Sequence, residues 1–103
     1  MIHELPLLGR TKDAALGAGI DDYCRRLRHY TTLSVRVLKD QGKTRGGAED
    51  LMQSEGRLLL KTVPPGALVV ALHAGGGQYT SEQFAALIGG WEQRGIKQVC
   101  YLI

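Results

Sequence analysis

Ala67-Leu68-Val69-Val70-Ala71-Leu72 is continuous apolar sequence, with Pro64-Pro65-Gly66 before it and Gly75-Gly76-Gly77 after it. A run this short between breakers reads as a β-strand covered on both faces. It is expected to be the central strand of a sheet. Such a strand needs helices above and below it, and that requirement governs how the rest of the chain is read.

The flanking segments meet it. Residues 2–8 suggest a first strand, in which Pro6 removes a ladder donor and so fits an edge or a bulge. Gly9-Arg10 makes the turn. From Thr11 a helix is expected, because Leu16, Ile20, Tyr23, Leu27 and Tyr30 recur every three or four residues and share one face. Asp13 in its first turn and Arg25, Arg26 and Arg28 in its last complement the helix dipole. Residues 33–38 alternate Leu33, Val35 and Val37 with Ser34, Arg36 and Leu38, as in a strand with one less buried face. A glycine-rich basic loop, residues 39–47, follows and should be mobile. A second helix over 48–62 turns Leu51, Met52, Leu58 and Leu59 inward and stops at Pro64-Pro65-Gly66. Thr80-Ser81-Glu82-Gln83 fits a capping box ahead of a helix with Phe84, Leu87, Ile88 and Trp91 on its apolar face, and Gly95 suits its C′ position. Residues 96–103 read as a last strand.

The order β-α-β-α-β-α-β predicts an open, mostly parallel sheet with helices on its faces, in one α/β domain over residues 1–103. At 44% apolar and 22% charged residues the composition is that of a globular protein. No segment has the roughly 20 apolar residues needed to cross a bilayer, and the amino terminus lacks the zones of a signal peptide, so a soluble, cytoplasmic protein without membrane contact is expected. Cys24 and Cys100 lack metal-site spacing and read as buried reduced thiols; no metal is expected. A net charge of +3 permits an anionic partner without requiring one.

Ligands of open α/β sheets bind beyond the carboxyl ends of the strands, which draws attention to Leu72-His73-Ala74-Gly75-Gly76-Gly77-Gln78 and to the end of the chain at Leu102-Ile103. The glycine spacing matches neither a dinucleotide fingerprint nor a P-loop, so a flexible loop is the plainer reading. His73 could serve as a base or a pH-sensitive hydrogen-bond partner, but spacing assigns it no partner; like His3 and His29 it is read as non-catalytic. Tyr79 is read as a packing residue, and Glu55 as a partly exposed edge position. Arg25, Arg26, Arg28 and His29, with Lys39, Lys43 and Arg45, would form one phosphate-facing surface if the fold brought them together.

Several of these segments in order carry a resemblance: Gly9-Arg10-Thr11-Lys12, Tyr23-Cys24-Arg25-Arg26-Leu27, the Gly42-Lys43 to Gly47 loop, Ser54-Glu55-Gly56, Val69-Val70-Ala71-Leu72, and Thr80-Ser81-Glu82-Gln83-Phe84-Ala85. The chain resembles the ribosomal RNA large subunit methyltransferase H family, of the SPOUT class of knotted methyltransferases, over essentially all 103 residues. The resemblance implies a homodimer that uses S-adenosylmethionine to methylate N3 of a pseudouridine in 23S ribosomal RNA on the ribosome. It also implies that Leu72 lines the cofactor pocket and that Leu102 and Ile103 feed its loop. Arg25, Arg26, Arg28, Lys43 and Arg45 are then the candidate RNA-binding residues, and the catalytic residue stays unassigned. The family usually carries an acidic residue where this chain has His73. Its knot-forming segments follow the position of Ile103, so residues 1–103 are expected to be a truncated, catalytically silent core, with apolar surface near Leu72 and Ile103 that drives self-association. The alternative from another class is a non-catalytic α/β module that binds ribosomes or proteins.

Overall fold

The computed structural model describes residues 1–9, 12–39 and 47–103. The turn at Arg10 and the candidate RNA-binding residues Lys43 and Arg45 lie outside the described residues. Within them the order is β1 (Ile2–Leu8), α1 (Ala14–Leu27), β2 (Thr32–Leu38), α2 (Ala48–Lys61), β3 (Leu68–Ala71), α3 (Ser81–Gln93) and β4 (Gln98–Leu102). The strands form one parallel sheet in the order β2-β1-β4-β3. The predicted βαβαβαβ architecture is therefore the observed one. Right-handed crossovers place α1 and α3 over one face and α2 over the other, because the chain steps in opposite directions along the sheet.

The β3 position corrects the sequence reading. Among the described residues β3 pairs with β4 alone and is an edge strand, not the central one. Its Leu68 and Val70 are half-buried while Val69 and Ala71 are exposed. An apolar run reports how much cover a strand's faces want; it carries no information about lateral neighbours. The middle of the sheet is β1 and β4, and there lie the fully buried side chains Pro6, Val99 and Cys100; Leu59 of α2 and Trp91 of α3 are the buried apolar residues of the helices among the described residues. Phe84 meets Trp91 edge to face at 6.3 Å along α3.

Pro6 sits in an interior strand, where a missing donor should break a ladder. The Ile2 N–H donates to Lys97 O, so on this parallel strand the even-numbered amides point towards β4. The β1–β4 pairing runs only from Ile2↔Gln98 to Glu4↔Cys100, and stops where Pro6 would have to donate. On its other side β1 stays paired with β2 through Leu8↔Leu38.

Helix α1 departs from expectation in two ways. Asp13 is its N-cap and not a first-turn residue: the carboxylate accepts from the Ala15 and Leu16 N–H groups at 2.9 and 3.0 Å. The apolar stripe Leu16, Ile20, Tyr23, Leu27 and Tyr30 is exposed, Tyr30 to 88%. A cleft between helix and sheet is lined by Gly17, Ile20 and Cys24 against Leu7, Val35 and Val37. The sheet-facing side is thus offset by about one residue, roughly 100°, from the stripe. Met52 of α2, expected inward, is likewise exposed. The capping box matches expectation: the Gln83 N–H donates to Thr80 Oγ1 at 3.1 Å, and the Thr80 N–H to Gln83 Oε1 at 2.8 Å.

Candidate functional site

The parallel sheet brings the ends of β3 and β4 side by side. The Leu72 N–H donates to Leu102 O at 2.7 Å, which unites two of the sequence-predicted cofactor residues, and Ile103 follows directly. All three leave apolar surface accessible at this edge: Leu72 is 46% exposed, Ile103 is 73%, and Leu102 is half-buried. Leu72 also opens a cleft of about 530 Å³, walled by Val70, Leu72, Phe84 and Leu87 and rimmed by His73 and Tyr79. Tyr79 is exposed and so is not the packing residue expected.

The loop leaving β3 is folded by its own histidine. His73 Nδ1 accepts from the Gly75 N–H at 2.9 Å, and the Gly76 N–H donates to His73 O at 3.0 Å. With Nδ1 accepting, the proton of the neutral ring is on Nε2. His29 is exposed at the end of α1. His3 belongs to strand β1, as the sequence suggested, and is buried.

The arginines occupy a different place. A crossover helix runs antiparallel to its strands, so the last turn of α1, just before β2, lies at the amino edge of the sheet. Arg25 bonds Asp22 at 2.7 Å, Arg26 lies 3.6 Å from the same carboxylate and 5.3 Å from the centre of the Tyr23 ring, and Arg28 is the C-cap. The hydrogen bond from Arg25 holds the Asp22 carboxyl below its ordinary range. Lys39 directly follows β2 at the carboxyl edge, on the same side as Leu72. Lys39 and the three arginines therefore stand at opposite edges of the sheet, and Lys43 and Arg45, the other members of the basic set, lie outside the described residues.

Sequence reading missed the polar centre of the sheet. Glu4 is only 4% exposed, yet accepts from Arg36 Nη1 at 2.8 Å, from Gln98 Nε2 at 2.8 Å and from the Cys100 thiol at 3.5 Å. The Arg36 bond holds its carboxyl below the ordinary range against the opposing pull of burial. Burial, then Glu4, pushes the Cys100 thiol up. On the other face a 2.8 Å hydrogen bond joins His3 Nδ1 and the Tyr101 hydroxyl, with the rings stacked at 5.8 Å. Burial holds His3 below, and Tyr101 above, their usual values. The available signal was an ionisable pair, His3-Glu4, inside a predicted strand. The three donors to Glu4 come from β2 and β4, so the cluster ties the three strands β2, β1 and β4 together. Among the described residues no group of three or more His, Cys, Asp or Glu could hold a metal, both cysteines are free, and Cys24 is half-buried.

A family model described as "Predicted SPOUT methyltransferase" matches residues 1–103. The chain belongs to the SPOUT methyltransferase family. Within it, the chain is 45% identical over 103 residues to the Ribosomal RNA large subunit methyltransferase H of Desulfotalea psychrophila, covering all of this chain and 66% of that protein. Proteins of the same name from Bifidobacterium animalis subsp. lactis and Trichlorobacter lovleyi are 34% and 33% identical, over 97% and 93% of this chain and 65% and 61% of their own lengths. The chain thus spans just under two thirds of the relatives it matches. Among the described residues no helix is long and apolar enough to cross a membrane.

Proposed function

We propose that residues 1–103 form the amino-terminal, sheet-bearing part of a cytoplasmic S-adenosylmethionine-dependent methyltransferase that modifies N3 of a pseudouridine in 23S ribosomal RNA on the ribosome. The observation that carries this reading is the junction of Leu72 and Leu102 at the carboxyl edge of a parallel sheet, in a chain matched by the family model from end to end. That edge is where open α/β sheets bind ligands. The accessible side chains of Leu72 and Ile103, with Leu102 beside them, suit one apolar wall of a pocket for a purine and a thioether chain. When bound, S-adenosylmethionine supplies the electrophilic methyl group.

The role of these residues is alignment: a wall that fixes the cofactor lets the target nitrogen approach in line. One wall is not a pocket, so residues 1–103 alone are catalytically silent. Of the basic candidates, those after β2 are the better placed to meet RNA beside the cofactor, because Lys39 shares its edge; Lys43 and Arg45 follow it in sequence. Arg25, Arg26 and Arg28 would touch RNA at the opposite edge. The exposed stripe of α1 supports self-association, in line with a homodimer.

The test joins residues 1–103 to the carboxyl-terminal third of the Desulfotalea psychrophila relative and measures tritium transfer from S-adenosylmethionine to ribosomes. The fusion should label 23S RNA, and Leu72→Asp should abolish labelling. Residues 1–103 alone should show no micromolar cofactor binding by calorimetry. A fusion that folds and binds cofactor but leaves the RNA unlabelled would refute the proposal.

A further inference from the structure

The turn after β3 is held by an acceptor that can be switched off. We infer that His73 is a positioning residue: its neutral ring closes the 73–76 turn at the rim of the Leu72 cleft, and protonation opens that turn. The Gly75 N–H donates to Nδ1 at 2.9 Å, and the Gly76 N–H to the His73 carbonyl at 3.0 Å. The ring lies close against the backbone. A Cβ at residue 75 would stand 3.1 Å from Nδ1, and one at residue 76 would stand 3.3 Å from the His73 carbonyl oxygen. Glycine at 75 leaves room for the imidazole beside its donor, and glycine at 76 leaves room for the His73 carbonyl.

Protonation places a hydrogen on Nδ1, so the ring then presents only donors and faces the Gly75 N–H as one donor against another. Histidine side chains make this change between about pH 5 and 8. Val70 and Leu72 face the cleft from β3 and its end, Phe84 and Leu87 face it from α3, and Tyr79 is the one other titratable residue among the described residues that line it. No Asp, Glu, Lys or Arg lines it among the described residues. The second consequence is orientation: in the closed turn Nε2 carries the proton and offers a donor at the rim, suited to a carboxylate, phosphate or carbonyl oxygen of a ligand.

That the turn shapes a cofactor wall rests on the proposed function; the coupling of the turn to the ring does not. The ¹⁵N-labelled 103-residue chain is followed by NMR from pH 5 to 8, reading the His73 ring protons, the Gly75 and Gly76 amide shifts, and amide exchange corrected for its intrinsic pH dependence. The Gly75 amide should titrate with the midpoint of the His73 ring and lose roughly two- to tenfold of its protection at low pH, as expected for one hydrogen bond. His73→Asn supplies a non-titrating acceptor and should keep Gly75 protected throughout. His73→Ala and Gly75→Ala should lose the protection at both ends of the range, with the remaining spectrum intact. A Gly75 amide that ignores the titration of His73, or a pH response that survives in His73→Asn, overturns the inference. A coupled titration in a chain whose ribosome-labelling fusion is inactive leaves this inference standing and removes the proposed function instead.

Discussion

Replacing Glu4 by Gln tests whether the buried carboxylate holds the middle of the sheet together. The side chain keeps its shape and one acceptor oxygen for Arg36, but loses the charge and sets an amide against Gln98 Nε2 and the Cys100 thiol. A hydrogen bond to a charged group contributes about 1.5–3 kcal/mol and a neutral one about 0.5–1.5 kcal/mol, so losing the charge costs about 1 kcal/mol and the displaced bond about 1 kcal/mol more. Arg36 is 48% exposed and its Coulombic share is screened by solvent, which lowers the expected total to about 1–2 kcal/mol at pH 7. In a domain of this size that is a fall in Tm of roughly 5–10 °C. The pH dependence is the sharper check. Glu4 has a folded-state value below the ordinary 4.5 for its carboxyl, so its contribution is present above that value and is lost as the pH falls through the lower folded one. Urea denaturation of wild type and Glu4→Gln at pH 7 and at successively lower pH should therefore show a gap that narrows below about pH 4.5. An equal gap at every pH, or a variant as stable as wild type at pH 7, would refute the assignment of the network as a stabilising ionised centre.

Thr80→Ala removes the side-chain half of the capping box and should cost about 1 kcal/mol in urea denaturation, with Thr80→Ser recovering most of it; no loss would mean that the cap is replaced by solvent. Sedimentation across a concentration series should show self-association that weakens in Tyr23→Glu, whose ring lies on the exposed stripe of α1. A monomer at high concentration would remove the homodimer from the proposed function.

What the sequence disclosed, and what it withheld, follows from the range of the interactions. The Thr80 cap and the apolar face around Trp91 depend on residues within a few positions, so they could be read directly. The edge position of β3 could not, because the residues that pair with Leu68 and Val70 are Val99 and Tyr101, and register across such a distance leaves no local mark. Glu4 was hidden for the same reason: its donors stand 32, 94 and 96 residues away. The face of α1 was legible as a stripe but not as to its cover, since Gly17 and Cys24 turn the helix towards the sheet by a side with little apolar content. At the candidate site, Leu72 and Leu102 were named separately, and only parallel pairing makes them neighbours. The His73 turn needed coordinates, because an imidazole accepting from a backbone amide two residues on has no sequence signature as familiar as that of Asp or Asn.

The proline in β1 divides the sheet mechanically. Beyond Glu4 the seam between β1 and β4 carries no rung, while Leu102 O is tied to Leu72 and Gly9 N–H to Leu38. Two parallel pairs result, β2 with β1 and β4 with β3, stitched together at their amino ends and free of each other at their carboxyl ends. The sheet has the layout of a fork, with no backbone bond joining its two tines beyond the base. The pair that carries Leu72, Leu102 and Ile103 thus has no backbone bond to β1 at its carboxyl end, and a residue other than proline at position 6 would turn an N–H towards that seam.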